Sequence, residues 1–411
     1  MIAKDFVAID VDQMSELADS SRALEEFFCE AIRRKASDLF LLAERDHVTV
    51  AIRRWGLVEK LTEVEPIVGR QFINVVKIWA NVDLVERRRP MDGRIELNVA
   101  GRNIDVRVST LPTLFGEDAT LRLLDPHGGV RSLGALGLSV EERNRLMGML
   151  ESPSGLILVT GPTGAGKTTT LYACLSHLNN GSRKINTIEE PVEYSIAGVR
   201  QSQVNRAIDV DFAQLLASVL RQAPDVVMIG EIRDAETAHT AVRAANSGHL
   251  VFATLHAPVA AGAVESMFAL GATPHFLASS LVGVVAQRLV RRLCRRCRVK
   301  YELPDAGAMF ASVSSLVDTD GACAIYGPRG CHECDDTGYD GRCGVYEILT
   351  AGKHVRQLIA ERRPRDEIHQ AAVDAGMISF RRASLVALAN GATSIEEVTR
   401  CIPSQVLELE S

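Results

Sequence analysis

Hydrophobic and polar positions change their spacing along the chain near residue 139. Before this point, residues 21–42 have the spacing of an amphipathic helix that leads into a strand, and "HVTVAIRRW" and "GRIELNVAGRNIDVRVSTLP" alternate as strands do. After it, short apolar stretches alternate with helical ones, at "GLILVT", "KINTIEE", "DVVMIGE" and "HLVFATLH". Strands that alternate with helices indicate βαβ units and a buried parallel sheet. The sequence therefore predicts an α+β region followed by an α/β core.

Glycine and proline mark the predicted boundary between these two regions. The stretch "DPHGGVRSLGALG" contains one proline and four glycines and has few side chains that could pack. We predict six segments: an N-terminal tail (1–20), an α+β domain (21–126), a linker (127–138), the α/β core (139–287), a cysteine-bearing insertion (288–345) and a C-terminal helical segment (346–411).

Composition excludes several classes of protein. Of 411 residues, 46% are hydrophobic and 24% charged, which is typical of a soluble globular chain. A net charge of −6 provides no global attraction to nucleic acid or anionic lipid. No apolar run approaches the roughly eighteen residues of a membrane span, and the first residues lack the apolar region of a secretory signal. We therefore expect a cytoplasmic protein.

The stretch "GPTGAGKTTT" matches the phosphate-loop pattern G-x-x-x-x-G-K-[ST]. Its glycines let the backbone fold around phosphates, and the N–H groups of the loop and of the following helix face the anion. In this pattern Lys167 neutralises the β- and γ-phosphates and Thr168 ligates Mg²⁺. The predicted nucleotide-binding residues are Gly161, Pro162, Thr163, Gly164, Ala165, Gly166, Lys167, Thr168 and Thr169. The sequence predicts binding of a nucleoside triphosphate.

Two of the predicted strands end in acidic residues, which are candidates for orienting or deprotonating water near the γ-phosphate. Glu231 follows one strand, and Glu189, Glu190 and Glu193 follow another. The strand before Glu231 ends in Gly230, where a common magnesium-side strand has Asp. Metal ligation would then fall to Thr168, to water or to an acid on the neighbouring strand.

Two C-x-x-C pairs, Cys294 with Cys297 and Cys331 with Cys334, are separated by thirty-three residues. This spacing is typical of a tetrahedral Zn²⁺ site built from two knuckles. An odd total of nine cysteines also disfavours a disulfide framework. Redox-active or free thiols and a nucleic-acid zinc knuckle remain as alternatives. The nearby arginines expected to offset the thiolate charge are Arg295, Arg296 and Arg298.

A basic run, "QRLVRRLCRRCRVKY", surrounds the first cysteine pair. If it is a helix, Arg288, Arg291 and Arg292 share one face that could meet an acidic partner surface. Tyr301 is its only aromatic residue, whereas sites for single-stranded nucleic acid combine basic grooves with several stacking rings. We therefore do not expect nucleic acid as a partner.

Four separated motifs together resemble the ATPases of type II secretion and type IV pilus assembly. They are the phosphate loop (161–168), "TIEEPVEY", "LRQAPDVVMIGEIRD" and "SGHLVFATLH". The resemblance implies a RecA-like P-loop core, preceded by an α+β (PAS-like) domain and carrying a tetracysteine zinc insertion, as in the assembly-type motors. By their places in these motifs, the resemblance implies water activation for Glu189, the Walker B role for Glu231 and the histidine box for His249 and His256. The stretch "IDVRVSTLPTLFGEDATLRLL" resembles the domain that precedes the core in this family, and there Arg107 and Arg122 match arginines that reach the nucleotide.

The resemblance also implies an activity and partners. We expect a Mg²⁺-dependent ATPase that is assembled as a homohexamer. It would drive an inner-membrane platform protein of a pilus or secretion system, and associate with the inner membrane peripherally through its partners. The chain begins close to the α+β domain, so we expect the additional N-terminal partner-binding domain of longer relatives to be absent. A translocase ATPase for DNA uptake or conjugation is the alternative, and a non-hydrolysing nucleotide switch is a third hypothesis.

Three positions depart from the family pattern. Ala223 stands where an acid is common, and we expect one polar contact near the site to be missing there. Trp55 replaces an acidic residue before a glycine, and "ASDLF" lacks the usual histidine.

Overall fold

The computed structural model describes residues 11–99, 102–124, 131–302, 309–317 and 324–408, which fall into two units, Met1–Gly129 and Val130–Ser411. Residues 127–130 of the predicted linker lie outside the described residues. The first helix begins at Val11 rather than at residue 21, so the second half of the predicted N-terminal tail is helical.

The first unit is an antiparallel sheet packed against two helices. Its elements are α1 (Val11–Arg33), β1 (Asp38–Ala43), β2 (Val48–Arg54), β3 (Leu57–Val64), α2 (Pro66–Trp79), β4 (Met91–Val99), β5 (Arg102–Thr113) and β6 (Gly116–Leu124). The strands pair in the order β3-β2-β1-β6-β5-β4. Phe28 of α1 and Phe72 of α2 are buried against the sheet residues Leu39 and Val106.

The second unit is an α/β core built on a seven-stranded sheet. The seven strands of this sheet are β7 (Gly155–Thr160), β8 (Ile185–Glu189), β9 (Arg200–Gln203), β10 (Val226–Ile229), β11 (Leu250–Leu255), β12 (Leu281–Leu293) and β15 (Tyr339–Thr350). Between β12 and β15 in sequence, β13 (Val299–Tyr301) and β14 (Ile325–Gly327) pair with each other in a separate two-stranded sheet. Its helices are α3 (Val140–Leu150), α4 (Lys167–Leu178), α5 (Phe212–Leu220), α6 (Ala235–Asn246), α7 (Ala260–Ala269), α8 (Pro274–Ser280), α9 (Lys353–Ala360), α10 (Arg365–Asp374), α11 (Phe380–Ala389), α12 (Ile395–Cys401) and α13 (Ser404–Leu407).

The core sheet has the order β15-β12-β7-β11-β10-β8-β9. All neighbours pair in parallel except β15, which is antiparallel to β12 at one edge. Every residue of β7, β8, β10 and β11 is buried, because helices cover both faces. Leu146 and Leu171 pack on one face, and Ala241 and Val264 on the other. The predicted α/β fold class is confirmed.

The basic run is where the sequence interpretation is wrong. Residues Leu281–Leu293 form the strand β12 between β7 and β15, so Arg288, Arg291 and Arg292 do not share a helical face. Arg288 is buried and donates to the carbonyl oxygens of Pro258 (3.2 Å) and Cys401 (3.5 Å). The buried Arg288 and the half-buried Arg291 interrupt the apolar pattern of this core strand, which is why the sequence suggested a helix.

A buried carboxylate ties β12 to the C-terminal helices. Glu397 of α12 accepts hydrogen bonds from the backbone N–H and the Nε of Arg291, both at 2.9 Å, and from Arg400. Burial alone would raise the pKa of Glu397, but the hydrogen bonds from Arg400 and Arg291 outweigh it and lower this pKa to about 2. The ionised carboxylate therefore stabilises the packing of α12 on β12.

Replacing this carboxylate should produce a pH-dependent loss of stability. A folded-state pKa of about 2, against an ordinary value of 4.5, means that Glu397 contributes fully above about pH 5 and less as the pH falls towards 2. We expect Glu397→Gln to lower the free energy of unfolding by about 3 kcal/mol at pH 7 and by much less at pH 3. Urea unfolding across this pH range measures the difference, with the exposed Glu396→Gln as control. A deficit independent of pH would contradict the assignment.

Candidate functional site

The phosphate loop lies between β7 and α4, at the carboxyl edge of the parallel sheet. Gly161, Gly164 and Gly166 have φ angles of 144°, 76° and 87°, which side-chain-bearing residues rarely adopt. A Cβ on Gly161 would also lie 2.4 Å from the backbone oxygen of Gln287 in β12. The loop therefore requires glycine here, and it directs the N-terminus of α4 into the space that it encloses.

Lys167 is the first residue of α4, and its side chain reaches back over the loop. Its Nζ donates to the carbonyl oxygens of Gly161 (2.7 Å) and Pro162 (3.3 Å), and lies 3.4 Å from Nδ1 of His256. Burial lowers the pKa of Lys167, and the nearby carboxylate of Glu231 opposes that shift. A cation held between carbonyls at this point is suited to bind phosphate oxygens.

Glu231 and His256 follow two neighbouring parallel strands, β10 and β11, and therefore meet beside the loop. Nε2 of His256 lies 2.9 Å from Oε1 of Glu231. Arg233 contacts the other oxygen of Glu231 at 2.6 Å and the carboxylate of Glu190 at 3.1 Å. The structure thus brings together three residues predicted from the sequence, Lys167, Glu231 and His256.

Glu190, which the sequence places among the acidic candidates at a strand end, belongs to this cluster together with Arg233, for which the sequence predicts no role. A hydrogen bond from Arg206 lowers the pKa of Glu190, and the charge of Arg233 adds to this effect. A role for Arg233 near Glu231 could have been predicted, because Arg233 stands two residues after Glu231 in the same motif. Glu190 follows β8 directly, and its peptide bond to Pro191 is cis.

Glu189, predicted to activate water, lies in a separate buried cluster. It is 3% exposed, and its carboxylate accepts hydrogen bonds from Thr187 Oγ1 (2.6 Å), Gln201 Nε2 (3.1 Å) and the hydroxyl of Tyr172. Burial and the hydrogen bond to Glu189 raise the pKa of Tyr172 above its usual range. The structure thus places Glu189 against α4 and places its neighbour Glu190 beside Arg233.

The two predicted histidines lie at opposite ends of β11. The backbone oxygen of His249 accepts from the N–H of Gly155 at 3.0 Å, where β7 begins, and its Nδ1 lies 3.0 Å from the oxygen of Ala244. The phosphate loop follows the other end of β7, about 17 Å away at the rise of a strand. Within one chain, the structure does not bring His249 to His256.

The departure at position 223 lies at this same distant edge. Ala223 precedes β10 and has a φ of 48°, and its neighbour Asp225 accepts from the N–H of Lys184 at 2.6 Å. The expectation of a missing polar contact near the phosphate loop is therefore wrong within one chain. An αL backbone at this residue explains why a short polar side chain would suit the position.

In the first unit, Arg107 and Arg122 are cross-strand neighbours on β5 and β6. Nε of Arg122 donates to Oδ1 of Asp38 at 3.1 Å, and Asp38 itself is buried. Trp55 forms the turn between β2 and β3 with a φ of 50°.

The four cysteines of the C-x-x-C pairs converge, with all four sulfur atoms within 4.8 Å of one another. The Sγ–Sγ distances are 3.9 Å for Cys294 to Cys331, 3.8 Å for Cys297 to Cys334 and 3.7 Å for Cys331 to Cys334. Four sulfur atoms about 2.3 Å from one metal ion lie about 3.8 Å apart in a tetrahedron. The donor set therefore fits a tetrahedral Zn²⁺ ion.

Two of the arginines expected to offset the thiolate charge have other partners. Arg296 pairs with Glu333, and Arg298 donates to the oxygen of Gly391 at 2.5 Å. Backbone groups contact sulfur: the N–H of Cys331 and that of Gly338 lie 3.3 Å and 3.2 Å from Sγ of Cys334. Compensation of the thiolate charge by the arginines stays a prediction.

Among the described residues, none of the helices combines the length and the hydropathy of a membrane span.

Comparisons with known proteins agree with the geometry. The family model for the type II/IV secretion system protein matches residues 13–400. The chain is 41% identical over 391 residues to type II secretion system protein E of Pseudomonas aeruginosa, covering 95% of this chain and 77% of that protein. It is 40% identical over 372 residues to type II secretion system ATPase E of Vibrio cholerae, covering 90% and 73%.

Solved structures share the fold. The ATPase DotB of Yersinia pseudotuberculosis superposes with a TM-score of 0.69 at 18% identity, covering 95% of this chain and 94% of that one. The pilus retraction motor PilT with bound ADP gives a TM-score of 0.56 at 24% identity, covering 92% and 99%. With a family match along nearly its whole length and relatives at about 40% identity, the chain belongs to the type II/IV secretion system protein family.

Proposed function

We propose that this chain is a motor ATPase that hydrolyses MgATP and powers a type II secretion system or type IV pilus assembly through an inner-membrane platform protein. The observation that carries the proposal is the convergence of Lys167, Glu231 and His256 beside the phosphate loop. Family membership supports the same activity.

Each group has a defined task in this proposal. The N–H groups of the loop bind the phosphates, and Lys167 exchanges the carbonyls of Gly161 and Pro162 for phosphate oxygens. Mg²⁺, held by Thr168 together with the phosphates, would supply further neutralisation of their charge. Glu231 orients the attacking water, while His256 and Arg233 hold its carboxylate.

Glu189 could activate water, the role proposed from its motif, only after its present hydrogen bonds are broken. Its carboxylate must first leave Thr187, Gln201 and Tyr172, and a buried carboxylate without partners is unfavourable by several kcal/mol. Movement of α4, which carries Tyr172, would remove only one of these three partners.

The proposed partners follow from the family. We propose a homohexamer, attached peripherally to the inner membrane through a platform protein. Relatives covering most of this chain are named for type II secretion, which supports a role within such a machine.

Glu231→Gln tests the catalytic assignment. The amide keeps the size of the side chain but cannot accept a proton or hold water as a carboxylate does, so we expect kcat for ATP to fall at least about 100-fold while MgATP still binds. Phosphate release and nucleotide titration measure the two quantities. Glu236→Gln, an exposed change in the first turn of α6, is the control and should match the wild type. Unchanged turnover in Glu231→Gln would exclude this role.

We further propose that the four cysteines hold one structural Zn²⁺ per chain. The expected zinc content by elemental analysis is about one ion per chain in the wild type and close to none in Cys334→Ser, because loss of one thiolate opens the tetrahedral site. Cys343→Ser on β15 removes a cysteine outside the cluster and should retain the metal. Equal zinc content in both variants would refute the site.

The partner proposal is tested by capture from solubilised membranes on the immobilised chain, in MgATP and in MgADP. We expect a polytopic membrane protein that is retained differently in the two nucleotides. Hydrolysis stimulated by DNA, without such a protein, would instead favour the translocase.

A further inference from the structure

Gln287 is a buried polar residue in contact with the phosphate loop. It lies on β12, is 1% exposed, and donates from Nε2 to the carbonyl oxygen of Ala165 at 2.7 Å. Its own backbone oxygen occupies the place that a Cβ of Gly161 would take, and a Cβ on Gly166 would lie 3.2 Å from its Nε2. One residue of a neighbouring strand therefore touches the loop near its beginning and near its end.

The orientation of the Gln287 amide follows from its partner. Ala165 presents a carbonyl oxygen, which can only accept, so the NH₂ group must face it. Oε1 is then left buried, without a hydrogen-bond partner among the described residues. A buried acceptor of this kind is unfavourable by about 1–3 kcal/mol, which offsets the contribution of the hydrogen bond to the Ala165 carbonyl. The net stability of the fold therefore does not account for glutamine at this position.

The geometry of the peptide bond indicates what the contact achieves. The carbonyl of Ala165 and the N–H of Gly166 belong to one planar trans peptide, in which they point in opposite directions. By holding the carbonyl towards β12, Gln287 turns the N–H of Gly166 away from β12, into the space enclosed by the loop. This N–H belongs to the N-cap residue of α4, at the end of the helix that attracts anions.

We propose that Gln287 is a positioning residue that aims the Gly166 N–H at the nucleotide phosphates. The inference rests on the proposed nucleotide site and adds a residue outside the phosphate-loop motif to it. Because the N–H binds phosphate equally before and during the reaction, the contribution is to binding and not to the chemical step.

Gln287→Met separates this role from packing, because methionine has nearly the same length but cannot donate. We expect the dissociation constant of a fluorescent ADP analogue to rise about tenfold, with KM for ATP rising in parallel and kcat within about threefold of the wild type. The midpoint of thermal unfolding should stay within a few degrees of the wild type, because removal of the unpaired Oε1 offsets the loss of the hydrogen bond to the Ala165 carbonyl. Inorganic pyrophosphate should lose affinity by the same factor, since the affected group faces phosphate.

Two further variants complete the test. Gln287→Glu presents a second acceptor to the Ala165 carbonyl, so its loss of affinity should exceed that of Gln287→Met. Val290→Ala removes buried volume from the same strand away from the loop, and should lower stability but leave ADP affinity unchanged.

The outcomes are distinguishable. Wild-type affinity in a folded Gln287→Met or Gln287→Glu, or a fall in kcat with unchanged affinity, would overturn the positioning role alone. A wild-type chain that binds neither ADP nor pyrophosphate would overturn the proposed function itself.

Discussion

The phosphate loop and β12 meet at a contact where no side chain fits. Parallel pairing of β12 with β7 puts the backbone oxygen of Gln287 where a Cβ of Gly161 would lie, so only glycine fits at the start of the loop. The same strand ends at Leu293, directly before Cys294, which lies about 23 Å from Gln287 at the rise of a strand. β12 therefore contacts the phosphate loop and leads directly into the first knuckle of the tetracysteine cluster.

The carboxylates of Glu231 and Glu189 differ in how easily they can exchange their hydrogen-bonding partners. His256 and Arg233, which hold Glu231, have side chains 49% and 52% exposed, and exposed ion pairs contribute only about 0–1 kcal/mol. Water or a phosphate can replace them at little energetic cost. Glu189 is buried with three donors, and releasing it is far more unfavourable. The difference favours Glu231 as the carboxylate that meets water first.

Local motifs were predictable from the sequence because short spacing alone defines their chemistry. The phosphate loop and the paired cysteines are of this kind, and apolar strands separated by helices predicted the α/β core. The strand β12 could not be predicted in the same way, because its buried Arg288 donates to the carbonyls of Pro258 and Cys401, which are distant in sequence. The sequence also could not predict that Glu189 and Glu190 lie in different clusters. Adjacent residues of an extended chain point to opposite sides, and the sequence does not show which side faces the loop.

The arginines that resembled a binding surface instead join parts of the second unit. Arg288 holds the turn before α7 and the end of α12, and Arg291 meets Glu397 while its guanidinium lies 3.8 Å over the ring of Tyr339. Arg298, next to the cysteines, donates to the oxygen of Gly391, in the segment that follows α11. Because each guanidinium offers several donors in a fixed plane, it can satisfy carbonyls from distant segments at once. The C-terminal helices are thereby attached to the strand that also contacts the phosphate loop, so a displacement of either one acts on the other through β12.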